Sequence, residues 1–380
     1  MIITKNMRSN IMIPVLKPLL PVTRDIVPYL ERIDENRYYS NQGPLVRLFE
    51  ERLATHFSIH PDKLVTSANG TLALTQLLNA SEVKKGSYCV MPSWTFVATP
   101  ASVINAGLIP FFIDVGLNDW AIHPEDVRSL MRSHDVGAVI VVSPFGANID
   151  VDAWEKFYVD TGVPVIIDAA AGFDSQSVLR KSRPVSLPTM VSLHATKVFG
   201  IGEGAVVLSN NEFFSKKIRM HGNFGFHGSR EAILTGTNTK LNEYMGAVGL
   251  AALDNWEQIR REWQDLSNVF AEFVQTCPQL SFAPRFNQGW VSSYGIINFR
   301  NQKDRDRVRE SLKDHHIDTI AWWGKGCHTQ AAYQTYPQQS LPHTESLSST
   351  TLGLPFWRGL QRKDYETIFG IISTTLEKDI

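Results

Sequence analysis

Cysteine is scarce: Cys89, Cys277 and Cys327 are the three thiols in 380 residues. They lie far apart and form no Cys-x-x-Cys pair, so neither a zinc knuckle nor a disulfide scaffold is built from them, and a reducing cytoplasm is the expected location. Charge of one sign is lacking as well. Lysine and arginine number 37 against 38 acidic residues, and a net charge of −1 gives no field that draws in nucleic acid or anionic lipid. No apolar run reaches the length of a membrane span. In the opening "MIITKNMRSNIMIPVLKPLLPV", Lys5, Arg8, Asn10 and Pro14 interrupt the apolar patches, which predicts neither an export signal nor an anchor. No Gly-x-Gly-x-x-Gly follows an early strand either. "GIGEG" at 200–204 comes late and lacks the third glycine of that fingerprint, which argues against a nucleotide-dependent dehydrogenase.

What is present is an ordinary soluble composition, 43% hydrophobic and 20% charged, in a chain long enough for a large domain and a smaller one. Pro44 opens "GPLVRLFEERLATHF", whose Leu45, Leu48, Phe49 and Leu53 share one face of an amphipathic helix. After it come short Val- and Ile-rich runs, "SYCVMP", "IPFFIDV", "GAVIVVSP", "VPVIIDAAA", "MVSLHATK" and "GAVVLSN", separated by helical segments such as "PASVINAGL" and "HPEDVRSLMRSH". Apolar strands alternating with helices predict an α/β fold with a mostly parallel sheet covered on both faces. A long helix is expected from about Leu241, with Met245, Val248, Ala252, Trp256, Ile259 and Trp263 on one stripe. Beyond it, the strand candidates "VSSYGIINF" and "IDTIAWW" and the closing helix "KDYETIFGIISTTLEKD" suggest a small C-terminal α/β domain. The expected division is 1–265 for the large domain with its N-terminal segment and 266–380 for the small one.

Ligands in parallel sheets bind beyond the carboxyl ends of the strands, and there the sequence delivers Asp168, Ser192 and Lys197. A carboxylate ending an apolar strand is costly to bury unless something pairs with it. Asp168 is therefore a helix cap, a member of a structural ion pair, or the acid that keeps a pyridinium nitrogen protonated. Lys197 is either a solvated surface residue or an amine that bonds covalently to a cofactor aldehyde. Gly70 and Thr71, in "TSANGTLALTQLL", sit where a helix starts and its free N–H groups favour an anion, although Asn-Gly-Thr is also plain capping. Ser192, five residues before Lys197, adds a hydroxyl donor to the same anion. Trp94 and Phe96, in "PSWTFVATP", either face a ring or belong to the core, and Trp94 is also a candidate for touching substrate.

Together, Gly70-Thr71, "PSWTFVAT", "IDAAAG", "SLHATKVFGIGEGAVV" and "GTNTKLNEYMGAVGLAAL" resemble the DegT/StrS sugar aminotransferases, enzymes of pyridoxal phosphate (PLP) with fold type I. The resemblance runs over almost the whole chain, and Ser-x-x-x-x-Lys followed by Gly-Glu-Gly is its most specific part. It implies that Lys197 carries the cofactor and moves the proton between substrate and cofactor carbons, that Asp168 binds the pyridine nitrogen, and that Phe96 stacks on the ring. It further implies that Gly70, Thr71 and Ser192 hold the phosphate, and that Asn238 reaches the phosphate of a neighbouring subunit, making a homodimer with shared sites. Two positions depart from the family pattern. Ala171 stands where Gln or His usually meets the cofactor's phenolic oxygen, and Lys240 stands where an arginine is usual.

The substrates the resemblance implies are L-glutamate and a nucleotide-linked keto-sugar, with "DAAAGFDS" and "AWWGKGCH" similar to the branch that makes dTDP-4-amino-4,6-dideoxyglucose, an O-antigen precursor. A sugar nucleotide's diphosphate needs cations or amides, and Lys240, Arg219, Lys325 and His328 are the candidates, each also readable as a surface residue. Trp322 and Trp323 either face the base or sugar or fill a domain interface. Two other readings stay open: a PLP-dependent dehydratase or lyase of the same fold, and a sensor that keeps the cofactor without transamination.

Overall fold

The computed structural model describes residues 13–377. Most of the segment read for export signals, and the last residues of the expected closing helix, lie outside them. The chain runs α1 (Thr23–Asn36), α2 (Pro44–His56), β1 (Leu64–Ser67), α3 (Gly70–Ala80), β2 (Tyr88–Pro92), α4 (Ala98–Asn105), β3 (Ile109–Ile113), α5 (Pro124–Leu130), β4 (Val136–Val142), α6 (Val151–Thr161), β5 (Val165–Asp168) and α7 (Phe173–Ser182). It continues through β6 (Thr189–Ser192), β7 (Ala205–Leu208), α8 (Glu212–His221), α9 (Glu243–Asp254), α10 (Trp256–Gln275), β8 (Leu280–Phe282), β9 (Gly295–Phe299), α11 (Gln302–Asp314), α12 (Pro342–Thr350), β10 (Thr351–Leu354) and α13 (Arg362–Glu377).

Seven strands form the large sheet in the order β1-β7-β6-β5-β4-β2-β3. The pairs among β2 to β6 are parallel, and β7 runs antiparallel to both β6 and β1. Successive strand residues point to opposite faces, and both faces are dry: Val139, Val141 and Ile167 join a core with Phe49, Phe157 and Phe173, while Ala138, Ile140 and Ile166 join one with Leu74, Leu77 and Val103. That two-sided burial is why the strands read as continuous apolar runs. It also leaves the strand ends as the place where polar groups can emerge. A three-stranded antiparallel sheet, β10-β9-β8, forms the second unit with α11 to α13.

Two sequence expectations need revision. The helix expected from Leu241 is two helices broken at Asn255, whose N–H bonds the Ala252 carbonyl to close α9 while its carbonyl accepts from Ile259 to open α10. "IDTIAWW" is not a strand: Ile320 makes a lone bridge to Gly353, and the two tryptophans turn away to pack on aromatic rings. β1, β8 and β10 carry little periodic signal and are seen only in the structure. The position 265/266 falls inside α10, a single helix of 20 residues. Residues 13–15 run along the second unit, with Ile13 bridged to Ile317 and the Pro14 carbonyl accepting from Trp357 Nε1 at 2.9 Å.

α2 begins at Pro44 after Gly43, which has no side chain to cap it. The cap comes from α9. Glu243 is 1% exposed, and its carboxylate accepts from Leu45 N at 2.8 Å and Val46 N at 2.9 Å. A buried carboxylate is tolerated here because the first N–H groups of a helix have no partner of their own and carry the positive end of its dipole. Glu243→Ala leaves those two donors unpaired in the interior and should cost about 3 kcal/mol of unfolding free energy. Urea unfolding of the cofactor-free protein measures this; a loss below about 0.5 kcal/mol would mean that water replaces the carboxylate.

Candidate functional site

The neighbours β6, β5, β4 and β2 bring Ser192, Asp168, Ser143 and Ser93 into a row along the carboxyl edge of the sheet. Asp168 ends β5 and is 5% exposed. Its Oδ2 accepts from Thr99 Oγ1 at 2.9 Å, and its Oδ1 accepts from Ala170 N at 3.2 Å. Thr99 is in turn 2.9 Å from the hydroxyl of Thr95, so "PSWTFVATP" supplies the carboxylate's hydroxyl partner. Burial pushes the Asp168 carboxyl above its usual range, opposed by the Thr99 and Ala170 hydrogen bonds and by the positive charge of Lys197. The opposition from Lys197 places amine and acid in one electrostatic neighbourhood.

Lys197 stands on the loop between β6 and β7. That loop folds back on itself: Ala195 N donates to Gly202 O at 2.9 Å, Ile201 N donates to Leu193 O at 2.9 Å, and Gly202 takes φ +109°, a conformation that favours glycine. Trp263 of α10 holds the loop from outside through Nε1 to Val198 O at 3.0 Å. The half-buried Lys197 side chain runs to Tyr294, donating to its Oη at 2.7 Å with Nζ 5.2 Å from the ring centroid. Sequence reasoning missed both Thr99 and Tyr294. Thr99 lies within a motif that was quoted for its aromatics, whereas nothing in the spacing between 197 and 294 announces their contact.

At the β6 end of the row, α3 begins with Gly70 and Thr71, and the Asn69 side chain caps it by accepting from Leu72 N at 3.0 Å. The Gly70 and Thr71 N–H groups precede the first intrahelical acceptors, so they are free for an anion. A Cβ placed on Gly70 would lie 3.3 Å from Met190 Sδ and 3.6 Å from Ser192 Cβ, so the helix start sits directly against the end of β6. The capping reading holds for Asn69, while Gly70, Thr71 and Ser192 are brought together at the helix start.

An aromatic wall closes the opposite side. Phe145, held at φ 51° in the turn after β4, stacks on Trp323 with centroids 4.1 Å apart at 10°. Trp323 meets the edge of Trp94 at 5.2 Å, and Trp322 meets Tyr294 at 4.9 Å. Trp322 and Trp323 thus fill the seam between the two units. Trp94, expected to touch substrate, is 2% exposed and belongs to the wall, with its indole N–H unpartnered. Phe96 is the contrary case at 60% exposed, a ring open to whatever lies over the carboxyl edge.

The candidate cations divide. Arg219 is committed to structure: it holds the buried Glu50 carboxylate through both guanidinium nitrogens, at 3.1 and 2.8 Å, and this removes it from the substrate candidates. His328 is bound to Ser93, its Nδ1 lying 2.6 Å from Oγ, and burial lowers its pKa against the opposing charges of Glu345 and Asp114, which favours the neutral ring. Lys325 is exposed on the neighbouring turn. Lys240 lies over the Phe224 ring at 4.6 Å, and burial lowers its pKa. Asn238 is exposed, its Oδ1 taken by Lys240 N at 3.4 Å, and the next carbonyl, of Thr239, accepts from Ala68 N at 2.7 Å beside α3. Ala171 is 8% exposed in the turn after β5 and brings only a methyl group.

This donor set fits pyridoxal phosphate group for group: an amine for the aldehyde, a buried acid for the ring nitrogen, and a glycine-opened helix start with a hydroxyl for the phosphate. Among the described residues no group of three or more His, Cys, Asp or Glu could hold a metal, and no helix is long and apolar enough to cross a membrane.

Comparison with known proteins agrees with the fold and with the cofactor. The model of the DegT/DnrJ/EryC1/StrS aminotransferase family matches residues 22–373. A dTDP-4-amino-4,6-dideoxy-D-glucose transaminase of Shigella dysenteriae is 31% identical over 80% of this chain and 82% of its own length. A Bacillus cereus chain provisionally described as a PLP-dependent aminotransferase superposes with a TM-score of 0.88 at 28% identity, covering 95% of this chain and 99% of that one. DesI, solved in the presence of its TDP-sugar product, gives 0.86 at 28% identity over 97% and 93%. A numbered protein of Mycobacterium tuberculosis is 31% identical over 63% of this chain, and the match spans 60% of that relative's length.

The raised Asp168 pKa has a sign that can be tested. A carboxyl that holds its proton more tightly when folded contributes stability that is full below its unfolded pKa and is lost as pH rises through the folded value. In the cofactor-free protein at pH 7, Asp168→Asn should therefore raise the melting temperature, by roughly 1–3 °C, and the advantage should shrink as pH is lowered. A variant that melts below wild type at pH 7 would show that the buried charge is fully compensated.

Proposed function

The chain belongs to the DegT/DnrJ/EryC1/StrS aminotransferase family, and from that premise we propose that it is a PLP-dependent aminotransferase that moves an amino group from L-glutamate to a nucleotide-linked keto-deoxysugar, with dTDP-4-keto-6-deoxyglucose as the acceptor. The observation that carries the reading is that the Lys197 loop leaves β6, the strand paired with β5, whose end buries Asp168, and that Ser192 N donates to Ala170 O at 3.3 Å between the two strand ends. The Shigella dysenteriae transaminase and DesI support the sugar-nucleotide class.

Bound PLP supplies the electron sink that makes a substrate Cα–H bond labile. The protein's own part is positional and acid–base. Lys197 anchors the cofactor and carries the transferred proton. Asp168, fixed by Thr99 and Ala170, keeps a positive charge on the ring nitrogen, for which a desolvated carboxylate is a strong partner. Gly70, Thr71 and Ser192 hold the phosphate, and Phe96 covers a ring face. Asn238 reaches the phosphate of a second copy, so the active unit is a homodimer with shared sites. Lys240, Lys325 and the neutral His328 meet the diphosphate and sugar. A cytoplasmic enzyme supplying amino sugars for a surface polysaccharide such as O-antigen, or for another glycoside, suits two water-soluble substrates. Ala171 favours one further reading, a PLP protein of this fold that does not transaminate, because the usual polar neighbour of the ring is missing.

Borohydride reduction of the loaded protein should label Lys197, and Lys197→Ala should abolish the label; a label on another lysine defeats the assignment. Asp168→Asn should keep the cofactor and slow the glutamate half-reaction about 100-fold or more. Offered to the glutamate-treated enzyme, dTDP-, UDP- and GDP-linked keto-sugars should differ, with the dTDP sugar aminated fastest. Failure of all three nucleotides alongside normal labelling would favour the non-transaminating reading.

A further inference from the structure

The phenol of Tyr294 occupies a position that neither the sequence motifs nor the family comparison assigns. It lies one residue before β9, in the second unit, yet its oxygen accepts the hydrogen bond of the Lys197 amine at 2.7 Å. The ring is 8% exposed and fixed from two sides, by the edge contact with Phe145 at 5.5 Å and with Trp322 at 4.9 Å. Its backbone is fixed as well: Tyr294 N donates to Ser292 Oγ at 3.0 Å, and Ser292 Oγ donates to the Phe145 carbonyl at 3.3 Å. A phenol that accepts from an amine keeps its own proton to give. Among the described residues no protein acceptor takes that proton.

The other half of the argument is Ala171. In pyridoxal the ring hydroxyl is on the carbon next to the one bearing the aldehyde, so a group bonded to the anchoring nitrogen neighbours that oxygen by the chemistry of the cofactor. On the turn after β5 the chain brings only the methyl of Ala171. We propose that Tyr294 is a positioning residue that orients the Lys197 amine and gives its phenolic proton to the cofactor's ring oxygen, the donor that Ala171 does not supply. This rests on the reading of Lys197 as the cofactor anchor. It implies that the ring's polar partner comes from the second unit, so seating that unit against the large sheet completes the cofactor site.

A donor to an anionic ring oxygen favours the form of the bound cofactor that has lost its proton, so removing the donor raises the pH at which the visible absorption band changes. The test is a pH titration of that band in loaded wild type and Tyr294→Phe, with borohydride labelling and thermal melting alongside. The expected result is a midpoint about one pH unit higher in the variant, the size of one charge-assisted hydrogen bond, with Lys197 still labelled and the melting temperature of the cofactor-free variant unchanged. A midpoint within about 0.2 pH unit of wild type, a small fraction of one such bond, overturns the proposal and leaves Tyr294 as wall. If Tyr294→Phe does not fold, Trp322→Leu, which loosens the phenol without removing it, takes its place: a smaller shift in the same direction supports the proposal, and no shift overturns it. Failure of wild type to show a visible band or a Lys197 label would sink the cofactor reading itself, an outcome distinct from an unmoved midpoint.

Discussion

A carboxylate shut away from water at the end of β5 is the constraint from which the site follows. Moving an ionised carboxylate from water into a protein interior costs several kcal/mol unless partners replace its hydration. Asp168 has one hydroxyl, one backbone N–H and the influence of Lys197. Those partners leave it short of full compensation, which is why burial wins and its pKa rises. A group held in that state is poised to accept a positively charged ring nitrogen, whose arrival would supply the missing charge. The cost of burying the charge in the cofactor-free protein would then be offset in part when a cationic ring nitrogen binds.

Each surrounding feature can be read as a way of holding that arrangement. Thr95 and Thr99 orient the acid from the segment after β2. The folded-back loop 193–204, fastened by Trp263, orients the amine. The stack of Phe145 on Trp323 and the edge contacts of Trp94 and Trp322 exclude water from the side facing the second unit, and lower water content strengthens every charge interaction inside. The second unit is thus more than a lid. Through Tyr294 and the His328–Ser93 pair it bonds to residues on both sides of the acid, and any shift of that unit is felt at the amine.

Much of this was legible in the sequence because strand ends are local signals. An apolar run followed by Asp168, another followed by Ser192, and a glycine-rich loop after Lys197 each mark a place without needing to know what faces it. The family motifs then joined them. What escaped was set by contacts between distant segments: Glu243 capping α2 from 198 residues away, Glu50 fixing Arg219 across 169, and Tyr294 meeting Lys197 across 97. Arg219 and Trp94 each carried two readings in the sequence for one physical reason. A long cation or a large ring looks the same in sequence whether it faces a ligand or a buried partner, and only packing decides. "IDTIAWW" failed similarly, since β-branched and aromatic residues favour strands in general but here the two indoles gain more from the seam between the units.

The proposed sharing of sites between two copies can be set against the exposed surface of one chain. Phe96, the ring expected to cover the cofactor, is 60% exposed, and a face open to bulk water gives little of the dryness on which the Asp168 charge depends. Around the segment that carries Asn238, Phe224 is 46%, Ile233 60% and Tyr244 46% exposed, while Lys240 lies over the Phe224 ring. Exposed large apolar side chains in the segments that flank Asn238 are surface that a partner could cover. A second copy related by a twofold axis would cover the same patch on each partner and lend its Asn238 in exchange. If the proposed dimer forms in this way, one association would both cover exposed apolar surface and bring Asn238 to the phosphate of the other copy, and weakening that interface would weaken cofactor binding even where every residue of a single chain is intact.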